Sequence, residues 1–228
     1  MHESSQLLHA AEIIHWVALG VMAVVYTLRL RWLFSFKKGV DRSAAGNPGQ
    51  SNADQGGRYS LLNVAMPWSM ESTRRGFAFY VTFVLFHLGV VAGIGLAFLS
   101  TVTPGFVTGP VVGPVVLWTL VIALTVSVYR MVRRLVRPVM RLISTPDDYF
   151  SLSMLTVWFA LGAATQAYLL GYGAFQHELL LVLYLLLTSF FLIYVPFSKI
   201  SHYLYYPFTR WWIGRALGHR GSYPIVRG

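Results

Sequence analysis

Five stretches of the chain are apolar almost without interruption, over residues 11–34, 77–100, 111–131, 150–172 and 179–198. Each approaches the ~20 residues that an α-helix needs to cross the hydrocarbon core of a bilayer. The strict two-residue alternation of membrane-barrel strands is missing from all of them. The pattern predicts an all-α fold, one membrane domain over residues 1–228 built as a bundle of five transmembrane helices. The fifth helix is expected to continue past Lys199, whose ammonium can snorkel, to about residue 204.

The polar positions divide these helices. Residues 39–66, rich in Gly, Ser, Asn and Asp, read as a flexible loop, either a partner contact or a solvated connector. PWSMESTRRGF, before the second helix, is expected at the bilayer interface with Trp68 at headgroup level. TVTPGFVTGPVVGP reads as a tight uncharged turn. In STPDD, Thr145 can cap the fourth helix, Pro146 suits its first turn, and Asp147 and Asp148 favour its positive end. YLYYPFTRWW forms an aromatic belt after the fifth helix.

Composition agrees with a membrane assignment. Only 11% of residues are charged, against about 25% in soluble domains. The net charge of +10 raises the question of nucleic acid, but its distribution answers it. All eighteen Lys and Arg fall within 29–75, 130–141 and 199–227, and segments 1–28, 101–110 and 173–178 have none. This is the positive-inside pattern. It puts the N-terminus outside and the C-terminus in the cytoplasm of a bacterial inner membrane, and it requires an odd number of spans. The N-terminus lacks a basic leader region and carries Glu3 and Glu12, so the first apolar stretch is expected to remain as a helix. There is no cysteine, so cysteine-ligated clusters, thiol catalysis and disulfides are excluded within this chain.

Two histidines lie in apolar sequence: His87 in VTFVLFHLGVVAGIGLAF and His202 in VPFSKISHYLYYPF. An imidazole in hydrocarbon is expensive and normally has a partner. Either the two are axial ligands of a b-type haem, both in the cytoplasmic half, or each is satisfied by hydrogen bonds in the bundle. Gly89, Gly93 and Gly95 could admit a flat cofactor or serve close helix packing. A second polar cluster, His9, Glu12 and His15, falls roughly on one face at the outer end of the first helix. It reads as a quinone or proton-exchange site, with menaquinone the candidate, or as an interfacial polar cap. His177 and Glu178 could join it, and His2 and His219 lie in tails with no special signal.

FHLG around His87, PFSKISH ending at His202, and RRLVRPVMRLISTPDDYFSLSML together resemble the gamma subunit of respiratory nitrate reductase, a five-helix b-type cytochrome. The resemblance covers helices two to five. It implies that His87 and His202 bind the iron of the cytoplasmic-side haem. The family's outer haem pair falls on Ala97 and Tyr184 here, so one haem is expected, not two. The family's lysine after helix two is also missing, since residues 101–129 contain no Lys. Small size, loss of the outer pair and the long inner loop resemble the gamma-like subunits of the high-molecular-weight cytochrome c complex of sulfate-reducing bacteria. That likeness implies a periplasmic multihaem cytochrome c, other membrane subunits and a cytoplasmic iron–sulfur subunit as partners. The expected function is electron transfer without a catalytic centre of its own, the alternative being a haem-free membrane anchor or assembly subunit.

Overall fold

The chain's structure, a computed structural model, describes residues 6–37, 39–46, 49, 51–173 and 177–223. His2, Glu3, Lys38 and Arg227 lie outside the described residues. Every regular element among the described residues is helical: α1 (Gln6–Ser35), α2 (Ala53–Leu62), α3 (Glu71–Arg75), α4 (Phe77–Val102), α5 (Pro104–Val107), α6 (Val112–Val136), α7 (Pro138–Ile143), α8 (Pro146–Leu169), α9 (Leu179–Tyr194) and α10 (His202–His219). Five helices are long and apolar enough to cross a membrane: α1, α4, α6, α8 and Leu179–Phe197, which contains α9. The chain is an all-α, multi-pass membrane protein. Large apolar side chains such as Val91, Val115 and Trp118 are exposed, as lipid-facing positions are.

The contacts divide the chain into two compact units, Met1–Val25 with Val81–Pro196, and Tyr26–Tyr80 with Phe197–Gly228. In the first unit α6 packs on α8 and α8 on α9. Small residues allow close approach, as they do between membrane helices. A Cβ on Gly89 would collide with Ala123, and one on Gly93 would come within 2.5 Å of the Trp158 ring. Two of the three glycines flagged near His87 therefore serve helix packing, and only Gly95 has open space beside it. Hydroxyls and an indole bridge the helices: Ser127 to Thr156 at 2.6 Å, and Trp158 Nε1 to Thr188 Oγ1 at 2.8 Å. At the start of α8, Asp148 accepts from the backbone N–H of Thr145 at 2.8 Å, with Pro146 in the first turn. Asp147 has a further role, accepting from Tyr194 of α9 at 2.9 Å. At the other end, buried Gln166 donates to the carbonyls of Val107 (2.7 Å) and Gly113 (3.1 Å), which ties the α5 turn to α8.

The second unit differs from the sequence expectation in two places. Within the segment 39–66 expected as a flexible loop, residues Ala53–Leu62 form a helix. Asn52 caps α2 by accepting from the Gln55 N–H, and α2 packs along α10. The composition that suggested a loop is what allows this packing. A Cβ on Gly56 would meet Gly218 Cα at 2.7 Å, and one on Gly214 or Gly218 would strike the α2 backbone. Three residues before α2 reach the end of α10: Gly46 N–H donates to His219 O (2.9 Å), Asn52 N–H to Gly218 O (3.0 Å), and Arg220 grips Asp41. Arg215 pairs with Asp54 across the same helices.

The fifth span also stops early. It does not run on to residue 204 as one helix. After Tyr194 the chain tightens into a 3₁₀ turn, Val195–Phe197, and Ser198 is extended. Pro196 has no N–H to continue the ladder. The Ser198 side chain accepts from Ile200 N–H at 3.2 Å and turns the chain through Lys199–Ser201 into α10.

Candidate functional site

His87 lies in the middle of α4, in the first unit, and is half-buried. Its Nδ1 is 2.7 Å from the carbonyl oxygen of Phe83, one turn earlier. A carbonyl only accepts, so Nδ1 carries the proton. In the neutral ring Nε2 then holds the lone pair, the arrangement of a metal-ligating imidazole whose other nitrogen is oriented by a carbonyl. The ring is flanked by Phe83 at 4.2 Å and Phe86 at 5.8 Å. Phe86 is buried, meets Phe159 at 5.3 Å, and has the Arg130 guanidinium 4.7 Å over its face.

His202 belongs to the second unit. It is the first residue of α10 and lies beyond the end of the fifth span, so it is not a turn inside a continuous transmembrane helix. Its side chain is exposed, and Nδ1 is 3.1 Å from Lys199 O. The same argument leaves its lone pair on Nε2. Next to it, Tyr203 shares a 2.6 Å hydrogen bond with Tyr26 of α1, and the Arg29 guanidinium stands 5.3 Å over Phe197. A neutral imidazole with its lone pair on Nε2 is the kind of donor that a b-type haem takes.

The two positions that the resemblance singled out as lacking histidine lie in the core of the first unit. Ala97 and Tyr184 are fully buried. Tyr184 donates its hydroxyl to Gly93 O at 2.6 Å and stacks on Trp158 at 5.9 Å. Side chains fill this end of the bundle, and neither position offers an imidazole.

His9, Glu12 and His15 differ in burial. His15 is fully buried in a stripe with Ala11 and Ala18, its ring 4.7 Å from Phe98, and neither ring nitrogen has a hydrogen-bond partner among the described residues. Glu12 is half-buried, and His9 is exposed. His177 is exposed and Glu178 half-buried. Among the described residues, no three His, Cys, Asp or Glu side chains gather closely enough to hold a metal ion.

One residue had gone unnoticed. Arg130 entered the sequence reading only as part of the charge pattern. Its signal was available, as a cation within the span of α6, six positions before its end, directly after VLWTLVIALTVSVY.

In comparisons with known proteins, no family model matches the chain, and neither a curated protein nor a solved structure matches it significantly.

Proposed function

We propose that the chain is a membrane-embedded b-type cytochrome subunit of a respiratory redox complex, with His87 and His202 as the axial ligands of one haem. The observation that supports this reading is a local one at each ring: His87 gives its Nδ1 proton to Phe83 O and His202 gives its own to Lys199 O, which leaves the lone pair of the neutral ring on Nε2 in each case. The likeness of FHLG and PFSKISH to the nitrate reductase gamma subunit supports it. Packing of Tyr184 and Trp158 at the outer pair supports one haem rather than two.

The haem, when bound, supplies reversible one-electron chemistry at iron. The chain's own residues do the rest. The Phe83 carbonyl fixes the ring plane of His87 and raises its basicity. Phe83 and Phe86 pack against the imidazole. α4 carries His87 within a membrane-spanning helix, where low dielectric would adjust the potential. Electrons pass between a periplasmic cytochrome c or the quinone pool and a cytoplasmic iron–sulfur subunit, in a bacterial inner membrane. With no cysteine, the chain brings no cysteine-ligated cluster of its own.

The test is the visible spectrum of purified His87→Ala and His202→Ala chains. Both are expected to insert in the membrane without b-haem absorbance. A full bis-imidazole spectrum in either variant refutes the assignment and leaves a haem-free anchor or assembly subunit as the better reading.

A further inference from the structure

α6 ends in a corner that is basic and, at its surface, apolar. Arg133 and Arg134 lie in the last turn of α6, Arg137 is extended, and Pro138 opens α7. Proline has no N–H to continue the α6 ladder and keeps the residue before it out of the helical region. The chain therefore turns where the membrane-spanning helix ends. α7 packs on α6 but buries none of its own residues. Val139, Leu142 and Ile143 are 69%, 87% and 67% exposed. Arg141 N–H donates to Arg137 O at 3.1 Å, which sets these two arginines one turn apart. At about 100° per residue they fall about 40° from each other, and the three apolar side chains fall on the opposite side.

A helix divided in this way lies in the plane of a bilayer interface, its apolar side among the acyl chains and its arginines at the headgroups. α6 delivers α7 to that level. Topology alone asks for positive charge here. It does not ask for an apolar face on the same short helix. The corner also has one sign of charge, since no acidic residue lies between Glu71 and Asp147. Arginines of the other unit have carboxylates: Arg215 has Asp54, Arg220 has Asp41 and Arg75 has Glu71. Arg137 and Arg141 are exposed like charges one turn apart, an arrangement that repels. A phosphate between them relieves the repulsion, and the guanidinium fork matches its oxygens. A zwitterionic headgroup brings its own cation, so a net-anionic one fits this corner.

We propose that the α6–α7 corner binds an anionic phospholipid, its phosphate held by Arg137 and Arg141 while Val139, Leu142 and Ile143 anchor α7 among the acyl chains. The site stands whether or not the chain binds haem.

The test counts lipid retained by the purified full chain in detergent, by native mass spectrometry, as phosphatidylglycerol or phosphatidylcholine is titrated in. The wild-type chain is expected to retain phosphatidylglycerol in preference. Arg137→Gln together with Arg141→Gln should weaken that retention about 25-fold, at about fivefold per basic residue, and leave phosphatidylcholine retention unchanged. Arg58→Gln together with Arg74→Gln removes the same charge from exposed positions of the other unit and should change neither. Equal phosphatidylglycerol retention in wild type and the first double variant overturns the proposal. So does an equal loss in the second double variant, which makes the effect one of net charge. A wild-type dimer without added lipid that the first double variant dissolves also overturns it, and assigns the surface to a second copy of the chain. Removing two positive charges also bears on insertion. Should the first double variant fail to accumulate, Arg137→Gln and Arg141→Gln decide singly: a loss of about fivefold in either supports the site, and full retention in both overturns it.

Discussion

The hydroxyl of Tyr184 donates to the carbonyl oxygen of Gly93 at 2.6 Å, joining α9 to α4. The phenol ring also lies against Gly162, where an added Cβ would meet it at 3.0 Å. This one side chain thus touches both α4 and α8 from α9. Tyr184→Phe keeps the ring and removes the hydrogen bond. It is expected to cost about 0.5–1.5 kcal/mol and to leave haem content unchanged. Thermal unfolding in detergent, read beside the haem spectrum, checks both. Loss of haem in Tyr184→Phe would show that this end of the bundle takes part in cofactor binding.

The contact of α2 with α10 depends on glycine. Gly56→Ala would bring a Cβ to 2.7 Å of Gly218 Cα. Overpacking of this kind costs about 1–3 kcal/mol. The expected outcome is fast proteolysis within residues 39–52 while the transmembrane helices stay protected. Equal cleavage rates in wild type and variant would show that segment to be unpacked.

Asp41 gives this unit a pH dependence. Arg220 donates to both its carboxylate oxygens, at 3.0 and 3.2 Å, and the Ser43 N–H adds a third donor. The Arg220 pairing, helped by Ser43, holds the Asp41 carboxyl well below the usual carboxylate range. As pH falls, the unfolded chain takes up a proton first. The stabilisation is therefore complete above the ordinary Asp value of about 4 and is lost as pH falls from there through the folded value. Amide exchange across residues 41–46 should accelerate below that point, and Asp41→Asn should exchange fast at every pH.

A quinol held at the N-terminal end of α1 would have to shed protons as it gives up electrons. Glu12 and His15 are half-buried and buried there. Replacing them together, by Gln and Ala, is expected to slow haem reduction by a menaquinol analogue about a hundredfold. An unchanged rate removes His9, Glu12 and His15 from the mechanism and leaves them as an interfacial cap.

The five spans were legible in the sequence because twenty apolar residues in a row have few alternatives to a membrane helix. The start of α8 was legible as well, since Thr145, Pro146 and Asp148 act locally. The α2–α10 pair was not. Its glycines read as loop formers, and only the tertiary partner, more than 150 positions away, turns Gly56 and Gly214 into a packing surface. The break before His202 had a visible cause in Pro196, but the long apolar run outweighed it. His87 stood out by its chemistry against its surroundings. Arg130 did not, because an arginine at the end of a span is what topology already demands. Its contact with Phe86 appears in the structure alone.

The haem-to-chain ratio of the purified protein, from a pyridine haemochrome spectrum against quantitative amino-acid analysis, tests the central claim most directly. One b haem per chain is the expected result, falling to none in His87→Ala and His202→Ala. No haem in the wild-type chain contradicts the cytochrome reading, and a ratio near two contradicts the single site and makes ligands of His9, His15 or His177.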